Sequence, residues 1–396
     1  MNSIELDIQS DMQRLEELLA EGVDGAVARE RSAFDDFAGE LSQKLVLFGA
    51  GNHGRRTLHR LRTVGIEPLL FVDNDSSKWG GAVDGIQVLS PAEGARRYGD
   101  SAVFVIATWS GYMRGHVDQL QSLGCSKVCP FVLLYWKYAD AMLPHYLMDR
   151  PHLLHHAADQ VRDAFYLLGD EASRREYLAQ LRWRLNADFD CLPSPVDHPI
   201  YFPKDLCLVE EDEVFVDCGA FDGDTIQLFL DESQAKFKRI VAFEADPVNF
   251  QLMQENLSRL PEEVRSRIQV HLAASSDKNG RLRIGSGNGL ASSIGDGDCE
   301  VDATTLDSAL SDTAVTYLKM DIEGSEIATL IGAAQQIREH TPVLAICAYH
   351  RQSDLWKIPL LIQSINPDYS FFLRPHLLEG WDLVCYAIPT KRLRLQ

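Results

Sequence analysis

The sequence predicts an α/β protein built from two Rossmann-like units, and three observations carry that reading. Strand-like apolar runs alternate with helix-like segments twice, over residues 44–130 and again from Glu213 onward. Each unit opens with an apolar run entering a glycine turn, KLVLFGAGNHG in the first and VFVDCGAFDGDT in the second. The second unit holds five parallel-type strand–helix repeats and then closes on a hairpin-like pair of strands. A chain of 396 residues is also too long for one ordinary domain.

Residues 1–43 read as an acidic amphipathic helical segment, with Leu15, Leu18 and Leu19 at helical spacing. Such a face packs on a neighbouring helix or forms the contact of a homodimer. Residues 44–130 form the smaller Rossmann-like domain: KLVLFGAG, PLLFVDND and AVFVIAT are its strands, and TLHRLRTVG is a helix closed by Gly65. Residues 131–205 lack strand signals and read as a helical connector, broken at Pro151 and ending in the proline-rich DCLPSPVDHPIYFP. Residues 206–396 form the larger domain, with strands VFVDCG, IVAFEA, IQVHLA, VTYLKMD and VLAICAY. YSFFLR and DLVCYAIP follow, separated by a turn at Glu379-Gly380.

Composition excludes several classes. A formal net charge of −20 opposes broad binding to nucleic acid or to an anionic membrane surface. No window approaches the roughly 18 consecutive apolar residues of a membrane span. The amino-terminal stretch is acidic and polar, unlike a secretory signal. The eight cysteines form no CxxC pair, and several sit in apolar runs such as LAICAY and LVCYAI. They read as reduced core residues of a cytoplasmic protein.

The two glycine turns differ in charge. In the first, Gly49, Gly51 and Gly54 match G-x-G-x-x-G directly after a strand, and Arg55 and Arg56 follow at once. Asp73 ends the next strand about 20 residues on, where a ribose-binding acid is expected. Backbone N–H groups at a helix start, with guanidiniums beside them, suit a phosphate. The turn is therefore read as a site for a nucleotide or nucleotide-sugar. The competing reading is a Rossmann-like module that has lost its ligand and serves packing.

The second turn carries Asp217, Asp222 and Asp224 around Gly219 and Gly223. These carboxylates would repel a pyrophosphate. A cationic ligand fits better, and S-adenosyl-L-methionine, with a sulfonium, an ammonium and no phosphate, is the expected cofactor. Glu244 ends the next strand, where a carboxylate accepts hydrogen bonds from both ribose hydroxyls. Asp277 follows the third strand, where an adenine amino group is met. The expected cofactor-binding set is Asp217, Gly219, Ala220, Phe221, Asp222, Gly223, Glu244, Ala245, Ala274, Asp277 and Asp321.

VFVDCGAFDGDT, VAFEADP, LAASS, TTLD and LKMDIEGSE together resemble the FkbM family of S-adenosylmethionine-dependent methyltransferases, over roughly residues 160–390. The block Met320 to Glu326, MDIEGSE, is the most specific element. The resemblance implies a class I methyltransferase fold, a seven-stranded sheet with its last strand antiparallel. It also implies methylation of oxygen, often on a sugar or polyketide hydroxyl. The chain has EADP where many members carry EPDP, which leaves Glu244 in place.

Open α/β sheets place their chemistry at the carboxyl ends of strands. Asp321 and Glu323 follow the fourth strand, and His350 follows the fifth. His350, with an unperturbed pKa of about 6.5, or Asp321 is the expected general base. Glu323 orients the acceptor, and Lys319 is a buried partner of these carboxylates. The plainer alternatives are a surface-loop histidine and acids that hydrogen-bond their own loop. No metal is expected: two alternating acids are a thin signal for Mg²⁺, and His145, His152, His155 and His156 lack carboxylate or thiolate at ligand spacing. Trp136, Tyr138, Trp183, Tyr201 and Phe202 read as core or as lining for a sugar acceptor, and Tyr201-Phe202 as cover for the cofactor. The expected function is O-methylation of a sugar, nucleotide-sugar or glycan hydroxyl. The alternatives are a nicotinamide-dependent sugar-nucleotide oxidoreductase or epimerase, and a non-catalytic S-adenosylmethionine-binding scaffold.

Overall fold

A computed structural model describes residues 3–109, 111–284 and 299–394. The chain divides into two compact units. One comprises Met1–Ala158, Leu178–Pro193 and Leu377–Gly380; the other comprises Asp159–Tyr177, Ser194–His376 and Trp381–Gln396. The stretch 131–205 is shared between both.

The first unit holds a six-stranded sheet: β1 (Leu45–Phe48), β2 (Leu70–Val72), β3 (Ala82–Val83), β4 (Ile86–Leu89), β5 (Val103–Ile106) and β6 (Val128–Pro130), in the order β3-β4-β2-β1-β5-β6. All pairings are parallel except β3 with β4. β3, β4 and β6 add to the three strands visible in the sequence. They are too short for periodicity to single them out, and β6 ends on a proline. β1, β2 and β5 are buried throughout, as apolar strands covered on both faces must be. The helices Ser3–Leu19 and Gly22–Ala38 bury Leu15, Leu19, Ala26 and Phe34 within this unit.

The second unit is built on a seven-stranded sheet of β7 (Val214–Cys218), β8 (Arg239–Glu244), β9 (Ile268–Leu272), β13 (Tyr317–Met320), β14 (Val343–Cys347), β15 (Tyr369–Pro375) and β16 (Leu383–Pro389). Their order is β15-β16-β14-β13-β7-β8-β9. A separate three-stranded sheet comprises β10 (Ala274–Ser275), β11 (Gly280–Ile284) and β12 (Cys299–Thr304). In the large sheet β16 alone runs antiparallel, pairing that way with both β14 and β15.

Two consequences of this order position the site. β7 lies between β13 and β8, so the chain's connections leave β7 in opposite directions and open a crevice at its carboxyl end. Register sets Cys218 beside Met320, Met320 beside Ile346, and Cys347 beside Val384. The carboxyl ends of β7, β13 and β14 therefore meet the start of β16 at one edge.

Segments outside the sheet are tied to it by buried polar groups. Arg374 on β15 is only 5% exposed. It reaches Asp170 Oδ2 at 2.6 Å and Asp205 Oδ2 at 2.9 Å, fixing two stretches that precede the sheet. Tyr386 Oη accepts from the Tyr201 N–H at 2.9 Å. The cysteines among the described side chains are free thiols, and no helix among the described residues is long and apolar enough to cross a membrane.

Candidate active site

The turn after β7 is held open by backbone geometry that few side chains tolerate. Gly219 has φ +79, and a Cβ there would lie 1.9 Å from the Asp321 carbonyl oxygen. Only glycine lets the turn after β7 and the turn after β13 approach this closely. Gly223 also has a positive φ, +89, where it caps the helix Asp224–Glu232. Phe221, at φ +48, donates its N–H to Glu244 Oε2 at 2.8 Å, while Glu244 Oε1 accepts from Asp246 N at 2.7 Å. Glu244 thus braces the turn with one oxygen and the next helix with the other. Each oxygen keeps a lone pair for a ligand. Burial raises its carboxyl above the usual range.

Asp217 closes the floor of the crevice. It is fully buried, and Lys319 Nζ lies 2.9 Å from its Oδ1. Neither carboxylate oxygen has a hydrogen bond of good geometry. Burial outweighs the adjacent ammonium and pushes the Asp217 carboxyl up to about 6. Lys319, donating to the Gly219 carbonyl at 2.7 Å, is held protonated against burial by Asp217 and Asp321. Asp222 and Asp224 cap their own turn: Asp222 Oδ1 accepts from Asp224 N, and Asp224 Oδ1 from Thr225 N.

His350 is not on a surface loop. Its side chain is 1% exposed and lies among carboxylates, with Nδ1 2.8 Å from Glu326 Oε1 and Nε2 3.3 Å from Asp321 Oδ1 and 3.7 Å from Glu323 Oε2. These acids overcome burial and raise its pKa well above the usual value. Asp321 is engaged from several sides. Tyr201 Oη donates to Oδ2 at 2.8 Å, Tyr349 Oη to Oδ1 at 3.1 Å, and His350 lies beside it. Despite burial, His350, Lys319 and Tyr201 hold its carboxyl well below the carboxylate range. Glu323, at φ +53, points its carboxylate at the same place with far fewer donors, and burial pushes it up to about 7.

The geometry thus gathers Asp217, Gly219, Ala220, Phe221, Gly223, Glu244, Asp321, Glu323 and His350 around one crevice. Ala274 forms a small buried apolar cluster with Val301, against which Ala245 packs. Asp277 is exposed, with Ser276 Oγ 3.2 Å from its Oδ1. Besides Tyr349, two more residues absent from the sequence reading join the site. Trp381 stands edge-on to Tyr349 with ring centroids 5.6 Å apart, and Asp382, at φ +49, shares the Tyr349 hydroxyl. The signal for them was the antiparallel β16, because a reversed strand brings its first residues to the edge where parallel strands end. Tyr201 does not line an open pocket: its ring is buried under Lys319, 5.1 Å from the centroid, and its phenol is committed to Asp321.

In the first unit, Gly49 has φ +107, and a Cβ on Gly54 would lie 1.8 Å from the Gly49 carbonyl oxygen. Asp73 Oδ2 accepts from Ala50 N at 2.7 Å and Oδ1 from Asp75 N at 2.8 Å, the same bracing that Glu244 gives the second turn. Here Lys78 Nζ adds an ion pair at 3.0 Å, and the Asp73 carboxyl sits below its ordinary range despite burial. Arg55 is 3.8 Å from Asp84. His53 of this turn stacks on His145, centroids 5.0 Å apart, and burial lowers both rings' basicity. Among the described residues no group of His, Cys, Asp or Glu could hold a metal ion.

The methyltransferase FkbM domain model matches residues 217–373. A structure described as methyltransferase FkbM from Methylobacillus flagellatus KT is 25% identical, covers 96% of this chain and 99% of its own, and superposes with a TM-score of 0.77. Two further solved chains are alike over less than half of this one. A putative rRNA-methylase from Clostridium thermocellum is 10% identical, covering 46% of this chain and 89% of its own, with a TM-score of 0.30. A putative methyltransferase from Streptococcus mutans, in complex with SAH, is 13% identical, covering 46% and 90%, with a TM-score of 0.28. No curated protein matches the chain.

Proposed function

We propose that this chain, which carries a FkbM methyltransferase domain, transfers a methyl group from S-adenosyl-L-methionine to a hydroxyl of a sugar, nucleotide-sugar or glycan. One observation carries the reading of the donor: Asp217 is a fully buried carboxylate beside the glycine turn whose oxygens lack well-formed hydrogen bonds. Such a group suits a cationic ligand, and a phosphate beside it would meet the repulsion of its carboxylate, which Lys319 counters. The residues fit the cofactor. Gly219, Ala220 and Phe221 present backbone where a side chain would block it, Asp217 meets positive charge, and Glu244 offers acceptors to ribose hydroxyls.

When bound, the cofactor supplies a methyl carbon already activated by sulfonium. The chain's task is to align an acceptor oxygen and keep water out. Methylation of a hydroxyl would also require the acceptor's proton to leave. In our reading Glu323 takes it. His350 is held as a cation by Glu326 and Asp321, and Asp321 is stabilised as an anion by its donors. Neither is a ready base. Glu323, raised to about 7, is matched to the task near neutral pH. His350 then acts as a fixed positive charge that favours ionised Glu323.

Calorimetric titration with S-adenosylmethionine, followed by measurement of S-adenosylhomocysteine released with glycoside acceptors, tests this. Failure of wild type to bind the donor, or equal binding by Asp217→Asn and Glu244→Ala variants, would refute the reading. For the first unit we retain a nucleotide or nucleotide-sugar ligand at Gly49, Gly51, Gly54, Arg55 and Asp73. The acid-free turn supports it, whereas the Lys78 ion pair leaves Asp73 less available to ribose.

A further inference from the structure

We infer that Glu326 is a positioning residue of the methyl-transfer site. One oxygen of its buried carboxylate anchors both the His350 ring and the turn that carries Glu323, and so aims the ring's Nε2–H at the Glu323 carboxylate. This rests on the methyltransferase reading above and adds to it the group that sets the His350–Glu323 pair.

Glu326 opens the helix Glu326–Gly332, directly after the turn that follows β13, and is 0% exposed. Its Oε1 accepts the Ile322 N–H at 3.0 Å and lies 2.8 Å from His350 Nδ1. A carboxylate oxygen can accept both bonds and donate neither, so the Nδ1 proton sits on the ring. The two donors belong to different loops, Ile322 to the turn after β13 and His350 to the loop after β14. Ile322 immediately precedes Glu323, whose carboxylate lies 3.7 Å from Nε2 and whose φ is +53. Moving Oε1 would therefore displace both members of the pair. A carboxylate that served only the helix dipole would stand in solvent at the helix start. This one is fully buried and spends its oxygen on two other segments.

The other charges around the ring do not fix it. Nε2 faces Asp321 at 3.3 Å and Glu323 at 3.7 Å without a well-formed hydrogen bond to either. Asp321 is already engaged by the Tyr201 and Tyr349 hydroxyls, and Asp382 shares the latter. Asp354, at the start of the helix Asp354–Ile365, is 1% exposed and accepts the Arg351 N–H at 2.9 Å. Burial and the neighbouring Glu326 push its carboxyl up to about 7, so near neutrality it is partly protonated. Two cations stand nearby. Lys319 is paired with Asp217. The exposed Arg351 lies against the turn, where a Cβ on Gly324 would be 2.9 Å from its Nε. Both oppose a charge on the ring, and so does burial. The acids prevail, Glu326 foremost, and raise the His350 pKa well above its usual value. The Nδ1–Oε1 bond thus supplies both the orientation of the ring and the largest share of what keeps it cationic.

The test reads the ring in the free chain and then turnover. In protein labelled with ¹⁵N-histidine, the His350 signals are those lost in His350→Gln. Both ring nitrogens should carry protons at neutral pH in wild type. In Glu326→Gln, which keeps an acceptor oxygen without the charge, the ring should titrate about one pH unit lower or more. The same variant should lower kcat about tenfold with little change in KM, and move the rising limb of the pH profile upward. In a His350→Gln background it should change kcat no more than about twofold, because it acts through the ring. A purely structural role would lower the urea midpoint without moving the ring's titration. If Glu326→Gln does not fold, Glu326→Asp, one carbon too short to hold Ile322 and His350 together, should lower the same titration. A neutral ring in wild type at pH 7, an unmoved titration in the variant, or fully multiplicative losses in the double variant overturns the inference. Wild type that binds no donor sinks the methyltransferase reading instead, and the ring titration still decides whether Glu326 holds His350.

Discussion

Lys319 Nζ lies 2.9 Å from Asp217 Oδ1, and the two side chains are 2% and 0% exposed. Removing one partner of such a pair strands the other charge in a low-dielectric interior, typically at about 3–5 kcal/mol. Lys319→Met should therefore unfold at markedly lower urea, and the Lys319→Met/Asp217→Leu double variant should recover much of the loss while no longer binding the donor. A single variant as stable as wild type would show that the pair is not buried as described.

Donor binding should release protons. Burial holds the Asp217 carboxyl up at about 6, so near pH 6 a substantial share is protonated, and a bound cation will drive it to ionise. Calorimetry at pH 6 in two buffers of different ionisation enthalpy should show proton release that fades by pH 8. Identical heats in both buffers at pH 6 would rule out this titration.

Turnover should rise with pH through neutrality as Glu323, pushed up to about 7 by burial, loses its proton. Glu323→Gln should lower kcat by about 10²–10⁴-fold and flatten that limb. His350→Gln should move the limb to higher pH, because the cation that favours ionised Glu323 is gone. A limb unchanged in Glu323→Gln would assign the base elsewhere.

Stability should move in the opposite direction. Burial raises the carboxyls of Glu323 and Asp354 to about 7 and of Asp382 to about 6. Between the unfolded carboxyl pKa of about 4 and these values, the folded chain holds protons that the unfolded chain has lost. Unfolding free energy therefore falls as pH rises across that window, by about 1.4 kcal/mol per pH unit for each carboxyl that keeps its proton. His350 acts in the same sense at higher pH: its contribution is complete below about 6.5 and is lost only as pH rises through its elevated folded value. His53, His145 and His376, whose basicity burial lowers, act in the opposite sense up to about pH 6.5, so the test is differential: Asp354→Asn should weaken the fall in urea midpoint with rising pH relative to wild type. An unchanged pH dependence in Asp354→Asn would contradict the assignment.

Gly219→Ala should cost both stability and donor binding, since the added methyl would sit 1.9 Å from the Asp321 carbonyl oxygen on a residue with φ +79. The adjacent turn must then move. If Gly219→Ala binds the donor normally, the close approach of the two turns has no role in the site.

What the sequence discloses depends on how far each signal acts along the chain. The strands of the larger sheet are apolar runs of four to seven residues, and the glycine turn with its acids is local, so both can be read in order. Strand pairing is not local. The strand Ile86–Leu89 has a buried pattern broken at Gln87, and Ala82–Val83 is two residues long. They exist because neighbours pair with them. Likewise the acids of MDIEGSE are plain in the sequence, but the division of labour among them is not. Asp321 is quieted by phenols 120 and 28 residues away, Tyr201 and Tyr349. Asp382 reaches the site only through the reversed direction of β16. Asp73 and Glu244 look alike as strand-end acids; Lys78 separates them, and nothing in the G-x-G-x-x-G pattern specifies a lysine there.

The reversed β16 makes truncation unusually damaging. A product ending before Trp381 would keep the glycine turn, Glu244 and the MDIEGSE block, and so would still look like a donor-binding protein. It would also leave Val343–Cys347, buried along its whole length, as a bare sheet border with unpaired amides and carbonyls. Such a border recruits other chains, so shortened products should be found in aggregates instead of accumulating as competitors for the donor.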